Sequence, residues 1–524
     1  TGANTHAERL GFTDRHPHVG RGGTRVLARS LAAPPVARTS RSVVIIGGGI
    51  SGLSTAFALL EQAAAADVPL SCTILDAAPV WGGKIVTHRV GRLVMEAGPD
   101  SFLSQKPWAM DLCRRLEIAD ELINTNPVEK KASVLRGGQL HELPEGLVTF
   151  TPTQLGPFFR SGLLSWVDLA RMGCDVLIPP RRSTEDESLA SFFRRRFGQH
   201  ACERVMEPLM AGIYAGDAEQ MSLRATFPRF YELEQTHGSV IRGMMAARRA
   251  RAQKASDGRP RHTMFVTLKN GLADLVAGLT TRIRETGGVL KSGVQAEALR
   301  VRSHQAGRWM YDVICTDGTA LSAEALVLAT PAYVSADLVR PLSPLAAGLM
   351  ETIPYASTAT ISLIYPAAAV GTRLQGFGFV VPRVEGRDLI AATWTSIKWP
   401  HRAPPEEVSV RCYLGGVGRE AILQQDDEAL VRCVREELAS IVGLQATPHY
   451  VEVNRWHRAM PQYTLGHLDR LTQLDAALSR FGGLAVTGAG YRGVGLPDCI
   501  RDGAEAAAQT LRYLQTASKR EAES

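Results

Sequence analysis

The stretch Ser42-Val43-Val44-Ile45-Ile46-Gly47-Gly48-Gly49-Ile50-Ser51-Gly52 decides how this chain is read. Its Val/Ile run carries no polar alternation, which predicts a short parallel strand buried on both faces. Gly47, Gly49 and Gly52 then meet the G-x-G-x-x-G spacing of a strand-to-helix turn. The first permits the tight turn, the second admits a pyrophosphate to the backbone, and the third lets the helix pack closely on the strand. The helix from Leu53 onward directs free N–H groups and the positive end of its dipole at the phosphates. A second apolar strand, Ser71 to Leu75, ends in Asp76, placed to accept hydrogen bonds from a ribose. Strand, helix, second strand and terminal acid together predict a dinucleotide site, which a lone glycine triplet would not.

Working outward, Trp81-Gly82-Gly83-Lys84 offers a second close backbone approach, with Lys84 near a phosphate or carboxylate. An acid followed by such a Gly-Gly-Lys step recurs in two-dinucleotide-fold flavoproteins, whereas an isolated doublet reads as an ordinary turn. Glu96-Ala97-Gly98-Pro99-Asp100-Ser101 is a turn able to close over the flavin side. At the far end, Leu484 to Gly488 reads as a strand. The glycine-rich turn Ala489 to Leu496 follows and leads into a helix over 502–514, with Pro497 suited to a first helical position. That helix start would bring positive potential beside the flavin N1–C2 carbonyl.

At 524 residues the chain is too long for one simple core. An apolar content of 45% and a charged content of 21% are those of an ordinary soluble protein. The net charge of +7 reads as a solvated surface, or else as suited to an anionic small molecule or an acidic membrane face. No interleaving of aromatic and basic residues points to nucleic acid. The eight cysteines are scattered without a Cys-x-x-Cys pair, which suggests reduced thiols and neither zinc nor a disulfide framework. No apolar run approaches the ~18 residues that span a bilayer.

The reading is of an α/β fold with a discontinuous Rossmann-like FAD-binding domain, an α+β substrate domain and a mainly helical insert. Residues 1–40 form a disordered basic extension, or a transit peptide. FAD-binding segments occupy 41–103, 262–335 and 471–524. The helical insert is 104–261, and the substrate-binding sheet is 336–470, with strands over 360–365, 378–381, 389–395 and 408–414. Within the insert, the apolar residues of 150–180 with Arg160, Arg171, Arg181 and Arg182 suit either a membrane interface or a packed subdomain. The Ala-rich basic segment 242–261 reads as an exposed surface. A strand is expected around Val294 and another over 325–331.

These features resemble the oxygen-dependent protoporphyrinogen oxidase family, within the amine oxidase and phytoene desaturase superfamily, over about 42–515. The more specific matches are Pro208-Leu209-Met210-Ala211-Gly212-Ile213-Tyr214-Ala215-Gly216-Asp217, Gly376-Phe377-Gly378 through Pro382, Trp399-Pro400-His401-Arg402, Pro461-Gln462-Tyr463 and Gly495 through Ile500. Asp76 stands where the family usually has Glu, and Trp394 and Trp399 stand where smaller aromatics are common. The resemblance implies FAD contacts at Gly47, Gly48, Gly49, Ile50, Ser51 and Gly52 for the pyrophosphate and at Asp76 and Ala77 for the ribose. Lys84, Gly98, Pro99, Asp100 and Ser101 would surround the flavin. Val294 would hold the adenine through its backbone, and Ala489, Val494, Gly495 and Leu496 would meet the isoalloxazine and ribityl region.

It also implies a porphyrinogen, a cyclic tetrapyrrole, lined by Phe379, Val380, Trp394 and Ile397. Protoporphyrinogen IX would lose six electrons in three two-electron steps, each passing a hydride to flavin N5, with O2 reoxidising the flavin to give H2O2. No side-chain nucleophile, metal or paired carboxylate is required, and His141, His401 and His467 read as structural before catalytic. A coproporphyrinogen III oxidase is the nearest alternative, then an amine oxidase or carotenoid desaturase, then a flavin-bound scaffold. The implied setting is cytoplasmic, with peripheral membrane contact and a homodimer both left open.

Overall fold

The computed structural model describes residues 40–129, 131–143, 162–253, 262–303 and 309–523. The readings over 1–39, 144–161 and 254–261, including the basic extension and Arg160, lie outside the described residues.

A five-stranded sheet, parallel throughout, runs Val289–Ser292, Leu70–Asp76, Arg41–Ile46, Ala325–Leu328, Leu484–Val486 across its width. The Val/Ile run lacks alternation because both faces are covered. Val43 and Ile45 pack with the helix Ile50–Ala65, while Val44 and Ile46 pack with helices Ala332–Val339 and Pro344–Glu351. From Arg41–Ile46 the chain first goes to 70–76 on one side and later takes 325–328 on the other. The strand order therefore reverses beside the Gly47 turn, where ligands of open parallel sheets bind. The C-terminal helix, Leu496–Glu523, begins six residues before the expected start at 502, and Pro497 lies in its first turn. It packs on Ile50–Ala65 so closely that a Cβ on Gly503 would stand 2.7 Å from the Ser51 carbonyl oxygen.

A second sheet has seven strands in the order Tyr450–Pro461, Tyr355–Pro366, Glu407–Gly415, Leu389–Trp394, Gly378–Val380, Ser133–Arg136, Gln139–Glu142. The four expected strands are among them. The hairpin 133–142 is a departure, because it comes from the stretch read as helical. Its two strands of four residues are too short for a periodicity to show, and Gly137 and Gly138, at φ 56° and 78°, form the turn between them. Val294 is a second departure. It lies in the link between strands Val289–Ser292 and Ala296–Ser303, because its N–H bonds sideways to the Asp76 carbonyl at 2.9 Å.

Residues 162–253 of the 104–261 stretch are largely helical, around Phe192, Phe193, Phe197 and Phe230. Arg196, fully buried, pairs with Asp175 at 3.1 Å and with Glu234. Two arginines read as flanking a membrane face are used inside this region. Arg171 donates to the Arg195 and Arg196 carbonyls at the end of helix Leu189–Phe197, and Arg181 lies 3.6 Å from Glu187. Trp166, Val167 and Leu177 are each at least 74% exposed. No helix among the described residues is long and apolar enough to cross a membrane.

A methyl group on Gly52 would stand 1.8 Å from the Gly47 carbonyl oxygen. Gly52→Ala is therefore expected to destabilise the fold at or beyond the upper end of the ~1–3 kcal/mol typical of overpacking. A urea midpoint equal to that of the wild-type chain would contradict this.

Candidate functional site

The three motif glycines are glycine for different reasons. Gly47 has φ +110°, and a Cβ there would meet the Ala329 backbone at 2.8 Å, so the turn and the neighbouring strand both demand it. Gly52 is required by its contact with Gly47. Gly49 has φ −74°, an ordinary value, and a Cβ on it would find nothing within 4 Å. Nothing in the chain itself requires glycine there, so the position leaves an open cradle. Gly49 is also the N-cap of helix Ile50–Ala65 and makes no side-chain cap hydrogen bond, while Leu53 N–H is the first to bond back into the helix. The N–H groups of Ile50, Ser51 and Gly52 thus face the cradle end, the donor set that suits a pyrophosphate.

The elements expected around this turn converge on it. Gly82 N–H donates to the Gly48 carbonyl at 2.9 Å, and a Cβ on Gly83 would lie 3.3 Å from Gly49 Cα. The Gly-Gly doublet thus approaches the first glycine turn directly, and the protein's own packing accounts for it. Asp76 accepts from Gly48 N–H at 2.5 Å and from Ala78 N–H at 2.7 Å. Two of its roughly four lone-pair positions stay available for a ribose, with Ala77 exposed beside it. The Val294 N–H is consumed by the Asp76 carbonyl, leaving only its carbonyl for an adenine. Lys84 donates to the Ala459 carbonyl and lies 6.0 Å from the Tyr355 ring centroid. Burial lowers its pKa, and its contact is with a carbonyl where a phosphate or carboxylate was expected.

The turn 96–101 is held by donors from the second sheet. The Ala97 carbonyl accepts from Thr360 Oγ1 at 2.9 Å, from Arg411 at 2.8 Å and from Trp456 Nε1 at 2.9 Å. Glu96 pairs with Arg402 at 2.9 Å, both buried. Asp100 accepts from Lys398 at 2.8 Å, Trp399 Nε1 at 3.2 Å and Ser101 Oγ at 2.7 Å. Burial disfavours its charge, but Lys398 and Arg411 outweigh that and hold its pKa well below the usual range. The Asp100 and Ser101 side chains are therefore engaged within the protein, and the backbone of Gly98 to Ser101 is what remains for a flavin. Gly98 fits against Lys84, whose carbonyl oxygen would be 1.8 Å from a Cβ there. Arg411 and Lys398 escaped the sequence reading. The signal for Arg411 was present, a lone charge between Val410 and Cys412 in an apolar strand.

The C-terminal turn has its own staple. Tyr463 Oη donates to the Ala489 carbonyl and accepts from Gly493 N–H, both at 2.7 Å. Its ring stacks on His467 at 4.0 Å, and His467 Nε2 donates to the Tyr491 carbonyl at 2.8 Å. Burial pulls His467 down to about 4 and His401 likewise, so both are neutral near pH 7, and His467 acts as a structural prop. Val494 and Leu496 are half-buried and Gly495 is exposed, at the open N-terminus of the last helix.

Of the residues expected along the substrate, two face the wrong way. Phe379 and Trp394 are 2% and 1% exposed, meet edge-on at 5.7 Å, and sit in the core behind the second sheet with Leu430 and Val434 of helix Asp427–Val442. Ile397 packs against the same core. Strand alternation explains this, since Thr360 and Arg411, which reach the 96–101 turn, belong to the opposite face. Val380 is on that opposite face, against Gly212, together with Ala391, Thr393 and Tyr413. Among the described residues no group of three His, Cys, Asp or Glu could hold a metal.

Comparison with known proteins agrees with this frame. The family model described as flavin containing amine oxidoreductase matches residues 50–511. A coproporphyrinogen III oxidase of Bacillus subtilis (strain 168) is 36% identical, over 90% of this chain and 98% of that protein. A chloroplastic protoporphyrinogen oxidase of Oryza sativa subsp. japonica is 31% identical, over 93% and 91%. A crystal structure from Exiguobacterium sp. 255-15, provisionally named a protoporphyrinogen oxidase, superposes with a TM-score of 0.78 at 30% identity, over 91% and 99%. Reduced UDP-galactopyranose mutase, at 16% identity and a TM-score of 0.64, shares the fold. With a dinucleotide cradle in a flavin family, the cofactor is FAD, and the chain belongs to the flavin-containing amine oxidoreductase family.

Proposed function

We propose that this chain oxidises a porphyrinogen to the porphyrin. The observation that carries the reading is near full-length similarity to proteins named for that reaction, 36% over 98% of the Bacillus subtilis protein. The Bacillus subtilis protein supports the tetracarboxylate coproporphyrinogen III as substrate, although the coproporphyrinogen III oxidase of Staphylococcus aureus (strain NCTC 8325 / PS 47) and the rice protoporphyrinogen oxidase stand level at 31%. Protoporphyrinogen IX, which the sequence motifs imply, is the second reading. Bound FAD would supply two-electron acceptance, with O2 as the final acceptor, and three rounds account for the six electrons.

The chain's own residues would bind and orient. Gly49 with the N–H groups of Ile50, Ser51 and Gly52 receives the pyrophosphate, Asp76 the ribose and the Val294 carbonyl the adenine. Leu496, at the head of the last helix, directs positive potential toward the flavin. Val380 and Ala391, with the methyl of Thr393 and the ring of Tyr413, form a wall for the macrocycle. Arg383 and Arg419, close to each other around the half-buried Glu207, supply cations for substrate carboxylates. Trp166, Val167 and Leu177 support peripheral contact with a membrane face.

The direct test is an anaerobic mix of the yellow protein with each porphyrinogen. Flavin bleaching is expected with both and faster with coproporphyrinogen III, with porphyrin fluorescence on admitting air. Bleaching by neither sinks the reading. Gly49→Val should cost the flavin-free chain no more than the ~1 kcal/mol of a poorer helix N-cap, read from its urea midpoint, yet weaken FAD binding at least tenfold, as read by flavin fluorescence on titration. Tyr463→Phe strands the Ala489 carbonyl and the Gly493 N–H, a cost of about 1–3 kcal/mol for an unsatisfied buried group. It should lower the temperature at which flavin is released, and an unchanged release temperature would refute the staple.

A further inference from the structure

One ion pair joins the two segments between which the flavin is expected to lie. Asp498 stands in the first turn of the last helix, Leu496–Glu523. Lys106 is the N-cap of the helix Pro107–Arg115, a few residues beyond the 98–101 turn. Its Nζ reaches Asp498 at 2.5 Å, with the carboxylate buried and the lysine half-buried. Among the described residues Lys106 is the one ion-pair partner of Asp498. The carboxylate lies directly behind the glycine turn. A Cβ on Gly493 would stand 2.2 Å from Asp498 Cβ, and one on Gly495 would stand 3.2 Å from its Oδ2. The Asp498 charge is also felt at Tyr214, whose phenol is pushed above its usual range by burial first and by that charge second. Asp502, one turn on, is answered elsewhere, by Thr487 Oγ1 at 2.7 Å, Gly488 N–H at 3.0 Å and Arg492 at 3.9 Å.

An acid in a first turn is ordinarily explained by the helix dipole, which stabilises it. Here the same placement has a second effect. The head of this helix supplies the positive potential that favours a reduced flavin, and a carboxylate within its first turn opposes that potential. Lys106 cancels the opposition, and with Asp498 buried, solvent screens the pair little. We propose that Lys106 and Asp498 act as an opposed pair that sets the reduction potential of the bound FAD, Lys106 raising it by neutralising Asp498. The inference rests on the isoalloxazine lying at 494–496, and it does not depend on which porphyrinogen is oxidised.

The test is the two-electron potential of the FAD-loaded full chain, read by equilibration with a redox dye and without any porphyrinogen. Lys106→Gln should disfavour reduction at least tenfold, a fall of about 30 mV, and Asp498→Asn should favour it by a similar factor. The double variant, which removes both charges, should lie between the two, and Lys106→Arg should keep the wild-type value. Shifts of the same sign in both single variants, or no shift in either, overturn the proposal, because a merely structural pair would loosen the site alike from either side. Arg501 stacks on Trp108 at 4.9 Å, so the two helices are held by more than this pair. Should Lys106→Gln fail to load FAD, Asp498→Asn decides alone: a tenfold gain in reduction supports the proposal, and an unchanged potential overturns it.

Discussion

The Ala97 carbonyl oxygen is the point at which the 96–101 turn is tied to the seven-stranded sheet. Thr360, Arg411 and Trp456 donate to it from three different strands of the seven-stranded sheet, although Ala97 follows directly from a strand on the other side of the site. Three donors on one buried oxygen fix its position more tightly than apolar packing would, because hydrogen bonds are directional where dispersion is not. The ion pairs on either side, Glu96 with Arg402 and Asp100 with Lys398, keep the turn from rotating about that point. The position of the 96–101 turn against the seven-stranded sheet thus follows from three hydrogen bonds and two ion pairs.

What the sequence revealed about this arrangement depended on whether the cause was local. Gly47, Gly49 and Gly52 announce themselves because a turn and a helix start are built within a few residues. The same holds for Asp76 at the end of its strand. The face on which Phe379 and Trp394 lie was not legible. In a strand, parity is fixed by which face meets the helix Asp427–Val442, and nothing within 378–380 or 389–394 specifies that. The family resemblance implied that these aromatics line the substrate, whereas they lie in the core behind the sheet.

Other features were legible but passed over. Val451 and Val453 alternate with Glu452 and Asn454, a pattern that marks the half-buried strand Tyr450–Pro461. Pro497 was not passed over: its fit to a first helical position agrees with the start at Leu496, ahead of the expected 502. The function of Arg411 as an anchor required the partner oxygen, hundreds of residues away, to be seen.

The last strand and last helix deserve a different emphasis, that of order in time. Leu484–Val486 forms the edge of the parallel sheet beside Ala325–Leu328, and the helix from Leu496 covers the first helix, Ile50–Ala65. A ribosome delivers these pieces after the other strands of the sheet. Until they emerge, the first helix is covered on one side by the helix Ala273–Glu285 and lacks its cover on the other. The chain must therefore hold an exposed, aggregation-prone surface through most of its synthesis. Closing contacts of such high sequence separation are slow to form, so the route to the native state is late and cooperative rather than stepwise from the N-terminus.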